Sequence, residues 1–118
     1  MDIWDDIHHF TPDEFGAHAD RMSEDLLLQL DYARHEAGLP FIVTSTYREG
    51  DAGAHGDGDA VDISDNSVGD DIGSMWRFVA LRGLYAAGFT RIGIYDKHIH
   101  ADVSRRLPDE VSWIGKSS

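Results

Sequence analysis

The sequence predicts an α+β domain with a small, largely antiparallel sheet flanked by helices. Three observations carry this reading. Long stretches place apolar residues three and four apart, as helices do. Four short runs are rich in β-branched residues or alternate with period 2, as strands do. Their order, helix, helix, strand, strand, helix, strand, strand, lacks the regular strand–helix alternation of a parallel α/β fold. At 118 residues the chain has room for one domain around one modest core.

Thr11-Pro12-Asp13-Glu14 is a capping box with Pro at the first helical position, and it opens a short helix that Gly16 limits. Phe10 and Phe15 flank the cap as a hydrophobic staple. A longer helix is expected over about Asp20 to Ala37, with Met22, Leu26, Leu27, Leu30, Ala33 and Ala37 on its apolar stripe, Gly38 ending it and Pro40 preventing continuation. Phe41 to Thr46 reads as a strand running into Tyr47-Arg48, and Glu49 to Ala54 as a glycine-containing loop. A second strand spans about Ala60 to Ser64. Ser67 or Asp70 then caps a helix over about Asp71 to Ala87, whose stripe is Ile72, Met75, Trp76, Val79, Leu84 and Tyr85. Thr90 to Tyr95 and His98 to Ser104 are the last two strands, joined by Asp96-Lys97. The tail from Arg105, with Pro108, Trp113 and Ile114, is expected to pack back before a disordered end over 115–118.

Composition narrows the function. The net charge of -12 argues against sequence-independent binding to phosphate backbones or anionic lipid, which depends on Lys and Arg. Asp dominates the acids, and only Lys97 and Lys116 are lysine; both a high-salt environment and a simply well-solvated surface fit that pattern. No apolar run approaches the roughly 18 residues of a membrane span. Met1 to Asp6 has neither the basic nor the apolar region of an export signal, so synthesis in the cytoplasm is expected. A monomer is expected. Without cysteine, any metal must be held by His, Asp or Glu.

The chemistry concentrates in His55-Gly56-Asp57-Gly58-Asp59-Ala60-Val61-Asp62-Ile63 and His98-Ile99-His100-Ala101-Asp102. Two imidazoles and a carboxylate are the usual donors of a catalytic zinc, which takes three protein ligands and keeps a fourth position open. His55, Asp62 and His100 can supply that set. Period 2 puts His98, His100 and Asp102 on one face of their strand, and Ile99, Ala101 and Val103 on the other. Asp57, Asp59, Asp62 and Asp65 lack EF-hand spacing and its final Glu, so they do not form such a calcium loop. His8, His9, His18 and His35 read as surface or helix residues. Asp102 either orients a ligating histidine or bonds within the strand end.

The pattern Ser45-x-x-Arg48, His55-x-x-Gly58-x-Ala60-x-Asp62, Gly93-Ile94-Tyr95 and His98-x-His100-x-Asp102 resembles the zinc D-Ala-D-Ala carboxypeptidases and related peptidoglycan endopeptidases. Their fold is shared with lysostaphin-type peptidases and the amino-terminal domain of Hedgehog. The motifs cover roughly residues 40 to 104, and Phe10 to Phe15 is similar to the N-terminal segment of small bacterial and phage members. The resemblance implies Zn2+ on His55, Asp62 and His100, with Arg48 facing the substrate and His98 beside the reacting centre. It implies hydrolysis of an amide bond in the peptidoglycan stem peptide, by a carboxypeptidase or an endopeptidase, with action at the cell wall. A phage lysis enzyme or a virion-carried one fits that setting. Many carboxypeptidase members carry an acidic base three residues before the last ligand. Here that residue is Lys97, which leaves Asp96 or His98 to take the proton. Gly53 stands where the family often has Ser. A catalytically silent zinc-binding module and a protein-interaction domain of the same fold are the alternatives.

Overall fold

The computed structural model describes residues 2–66 and 69–116. It is α+β as expected, with one five-stranded sheet that is antiparallel except at one edge. The strands are β1 (Ile42–Ser45), β2 (Ala60–Ser64), β3 (Arg91–Ile94), β4 (Ile99–Asp102) and β5 (Val111–Ile114), in the order β1-β2-β4-β3-β5. Only the β3–β5 pair is parallel. Two helices, α1 (Glu24–Ala37) and α2 (Ser74–Ala86), pack on one face, and two 3-10 segments, Ile3–Asp6 and Pro12–Arg21, precede them.

The two faces of the sheet separate core from chemistry. Val61, Ile63, Ile92, Ile99 and Ala101 are essentially fully buried in one cluster with Leu26, Leu27 and Leu30 of α1 and Ala80 and Leu84 of α2. Each large side chain so buried contributes roughly 1.5–3 kcal/mol. Alternation then sends Asp62, His100 and Gly93 to the opposite face, where register aligns them: Asp62 lies opposite His100, and His100 opposite Gly93. β2, β4 and β3 are the inner strands, and every residue of β2 and β4 is buried.

Several boundaries differ from expectation. The box at Thr11 is present, with the Glu14 carboxylate accepting from Thr11 N–H at 2.7 Å. Its helix continues as a 3-10 segment kinked at Gly16 (φ 68°), which takes in Asp20. α1 therefore starts at Glu24, capped by Ser23 Oγ accepting from Leu26 N–H at 3.2 Å, and Met22 is buried ahead of the helix. α2 starts at Ser74 with Gly73 as N-cap, its N–H donating to Asp65 Oδ2 at 2.7 Å. Asp70 does not cap it, and Ser67 lies outside the described residues. Trp76, Ala80, Gly83 and Leu84 form the buried face of α2, while Met75 and Tyr85 are exposed. The tail does pack back, as β5. Gly115, expected to be disordered, donates its N–H to the Ile94 carbonyl at 3.0 Å; Ser117 and Ser118 lie outside the described residues.

Candidate metal centre

Asp62 is the middle of the site, on β2, between β1 and β4. A bulge in β1 places Ser45 rather than Thr44 opposite it. The chain then runs through Arg48 into the loop that carries His55. Arg48 N–H donates to the His55 carbonyl at 3.1 Å, and Ser23 N–H to the Gly58 carbonyl at 2.9 Å, so the loop is tied at both ends. Gly58 has φ +76°, and a Cβ there would lie 2.0 Å from the Arg21 carbonyl oxygen, so no other residue fits.

His55, Asp62 and His100 are all buried, and their ligand atoms lie within 4.8 Å of one another. Each histidine has one nitrogen committed. His55 Nδ1 is 2.7 Å from the Thr46 carbonyl, which can only accept, so Nδ1 carries the proton and Nε2 keeps its lone pair in the neutral ring. His100 Nε2 is 2.6 Å from Asp102 Oδ2, which leaves Nδ1 as its lone-pair nitrogen. Both remaining nitrogens point at the same oxygen, with Asp62 Oδ1 3.3 Å from His55 Nε2 and 3.2 Å from His100 Nδ1. His55 Nε2 is buried and has no hydrogen-bond partner among the described residues.

Three lone pairs gathered in a buried pocket repel one another unless a cation lies between them. The spacing of Asp62 Oδ1 from the two nitrogens suits one: ligands about 2.0–2.1 Å from a tetrahedral ion are about 3.3–3.4 Å apart. The residues present therefore fit a metal ion. Burial acts most strongly on Asp62 and would raise its pKa, but His100 and His55 outweigh it and hold the carboxyl far below its ordinary value. Burial would lower the pKa of His100, yet Asp102 and Asp62 raise it.

Asp102 does what both of its sequence readings describe, holding the His100 ring and bonding at the end of its own strand. Its Oδ1 accepts from Arg91 Nε at 2.8 Å and from Ser104 N–H at 3.1 Å, while Oδ2 accepts from His100. Fixing a ligand's tautomer from behind in this way raises its basicity.

The other oxygen of Asp62 faces a different pair. Oδ2 lies 3.3 Å from Arg48 Nη2 and 3.8 Å from His98 Nε2. Arg48 is half exposed, also pairs with Asp51 at 3.4 Å, and donates from Nε to Ser45 Oγ at 3.1 Å. It thus makes a structural ion pair and still lines an open cleft of about 410 Å³ above the site, together with His98 and Trp113. The His98 ring stacks on Tyr95 at 4.4 Å and 12°. Its burial lowers its pKa, outweighing the attraction of Asp62. Asp96 sits in the β3–β4 turn, outside the cleft lining, where its carbonyl accepts from Ile72 N–H at 2.8 Å. Its charge acts on His98, but His98 is the group that faces the site. Lys97 is exposed in the same turn.

The sequence reading missed the wall of the cleft. Trp113 packs on the backbone of Gly93, lies 5.3 Å from the His100 ring, sits under the Arg91 guanidinium at 5.3 Å, and donates from Nε1 to the Tyr95 hydroxyl at 3.1 Å. Val111-Ser112-Trp113-Ile114 does alternate, and that was the available signal. No helix among the described residues is long and apolar enough to cross a membrane. No protein-family model, curated protein or solved structure matches the chain.

Proposed function

We propose that the chain is a zinc-dependent hydrolase that cleaves an amide bond in the stem peptide of bacterial peptidoglycan. The observation that carries the metal is the convergence of His55 Nε2 and His100 Nδ1 on one oxygen of Asp62, each ring having spent its other nitrogen on a fixed acceptor. Two imidazoles and one carboxylate hold catalytic zinc and also ferrous iron; the tetrahedral spacing and the resemblance of the motifs favour zinc here, and a metal on these residues would be reached from the cleft they line. Zinc held there would supply Lewis acidity toward the scissile carbonyl and an activated nucleophile at neutral pH.

The chain's own residues divide the remaining work. Arg48, half exposed at the cleft edge, binds a substrate carboxylate or the charge that develops on the carbonyl oxygen. His98 is the proton acceptor. The three carboxylates lining the cleft are otherwise engaged: Asp62 is the proposed ligand, Asp51 pairs with Arg48, and Asp102 holds His100 and Arg91. Tyr95, stacked on His98, and Trp113, bonded to Tyr95, keep that imidazole turned toward the site. The peptide specificity rests on the resemblance of the motifs, and the chemistry on the site.

Purified protein incubated with muropeptides of defined stem length, with and without a chelator, tests this reading by mass spectrometry. Chelator-sensitive loss of a terminal residue identifies a carboxypeptidase; cleavage of a cross-link identifies an endopeptidase. Intact muropeptides with the metal bound would favour a silent zinc-binding module, the reading that Lys97 at the acidic-base position supports.

A further inference from the structure

A second group of imidazoles meets outside the cleft. His9 Nε2 and His35 Nδ1 lie 3.2 Å apart on exposed rings whose centroids are 5.4 Å apart. The spacing is set from beneath. Asp31 stands one helical turn before His35 on α1, on the same face. Its carboxylate accepts from the backbone N–H groups of His8 at 3.0 Å and His9 at 2.7 Å. The segment carrying His9 is thereby pinned to the helix carrying His35.

Asp31 is only 8% exposed, and its carboxylate is held by the two backbone N–H groups of His8 and His9. Its negative charge shares a surface cleft with His8, His9 and His35, and a cation among those imidazoles is attracted to it. We propose that His9 and His35 form a second, peripheral site for a late first-row divalent metal ion, with His9 Nε2 and His35 Nδ1 as its protein ligands.

The geometry suits that class of ion. Adjacent ligands about 2.0–2.1 Å from the metal are about 3.3–3.4 Å apart in a tetrahedral sphere and about 2.9–3.0 Å apart in an octahedral one, and 3.2 Å lies between. Imidazole selects zinc, nickel and copper over magnesium and calcium. Without metal, one ring donates to the other; a metal ion takes the place of that shared proton. Two protein ligands rather than three make this the weaker site, and water completes its sphere. Occupancy would tie the segment before the Thr11 cap to α1. This site is independent of the proposed hydrolase reading.

Equilibrium dialysis with Ni2+ on a His55→Ala/His100→Ala variant, which disables the cleft site, tests the proposal. About one Ni2+ per chain is expected, lost in either His9→Ala or His35→Ala added to that background, with paramagnetic broadening of the His9 and His35 ring signals by NMR. No Ni2+ uptake, or uptake indifferent to both substitutions, would overturn it. Should the double variant fail to fold, the wild-type chain gives the same reading. Its Ni2+ stoichiometry is expected to fall by about one on His9→Ala, whose side chain is exposed, and an unchanged stoichiometry overturns the proposal.

Discussion

At the scale of single residues, each member of the candidate metal triad has one atom fixed by a neighbour. Asp102 is the clearest case, since its two oxygens hold His100, Arg91 and the Ser104 N–H at once. Asp102→Asn is expected to lower metal affinity about 10–100-fold, the usual cost of losing such a partner, and calorimetric titration with Zn2+ checks it. His98→Ala should keep the metal and lose on the order of 10²-fold or more in muropeptide turnover, the scale for a positioned acid–base group. Arg48→Lys should also keep the metal and lose activity, because an ammonium cannot reproduce the planar fork. Full turnover in either variant would remove that residue from the reaction. The gathering of His55, Asp62 and His100 into one group that could hold a metal ion was legible in the sequence because all three residues sit in short motifs whose chemistry is in the side chains. The tautomers were not. They depend on the Thr46 carbonyl and on which ring nitrogen of His100 turns toward Asp102, and neither is a property of spacing.

At the scale of elements, α1, α2 and the four antiparallel strands follow from periodicity, and the departures follow from contacts that periodicity does not record. Helical spacing ran through Met22 into α1, but Gly16 kinks the preceding segment and Ser23 caps the helix proper. Met75 and Tyr85 fit an apolar stripe, yet Gly83 sets how closely α2 approaches α1 and turns those two side chains outward. β5 was read only as a packed tail, because four residues of alternation after a polar, proline-containing stretch are a weak signal. It joins β3 through Trp113, for which the missing side chain of Gly93 leaves room. A Cβ at Gly93 would lie 2.5 Å from the indole. Gly93→Ala should therefore displace Trp113 and cost about 1–3 kcal/mol in urea denaturation, as overpacking does, while the metal triad, on other elements, stays loaded. An unchanged midpoint would mean that β5 does not lean on this contact.

At the scale of the whole molecule, charge is the dominant feature. A net charge of -12 makes the compact state self-repelling. Within the cleft the charges are balanced instead, Arg48, Arg91 and Lys116 standing against Asp51, Asp62 and Asp102. Thermal stability should rise with NaCl as the screening length shortens from about 10 Å at 0.1 M to about 3 Å at 1 M, and a melting temperature that is flat or falls with salt would contradict this account of the surface. We have proposed a zinc-dependent hydrolytic site in the cleft of this acidic chain. Its most direct test is stem-peptide hydrolysis by metal-stripped protein as Zn2+ is added back, with occupancy measured in parallel on the wild type and on His55→Ala. Activity that climbs with occupancy of the triad, and is absent from His55→Ala, is the predicted result; a fully loaded triad with no hydrolysis of any muropeptide would contradict it.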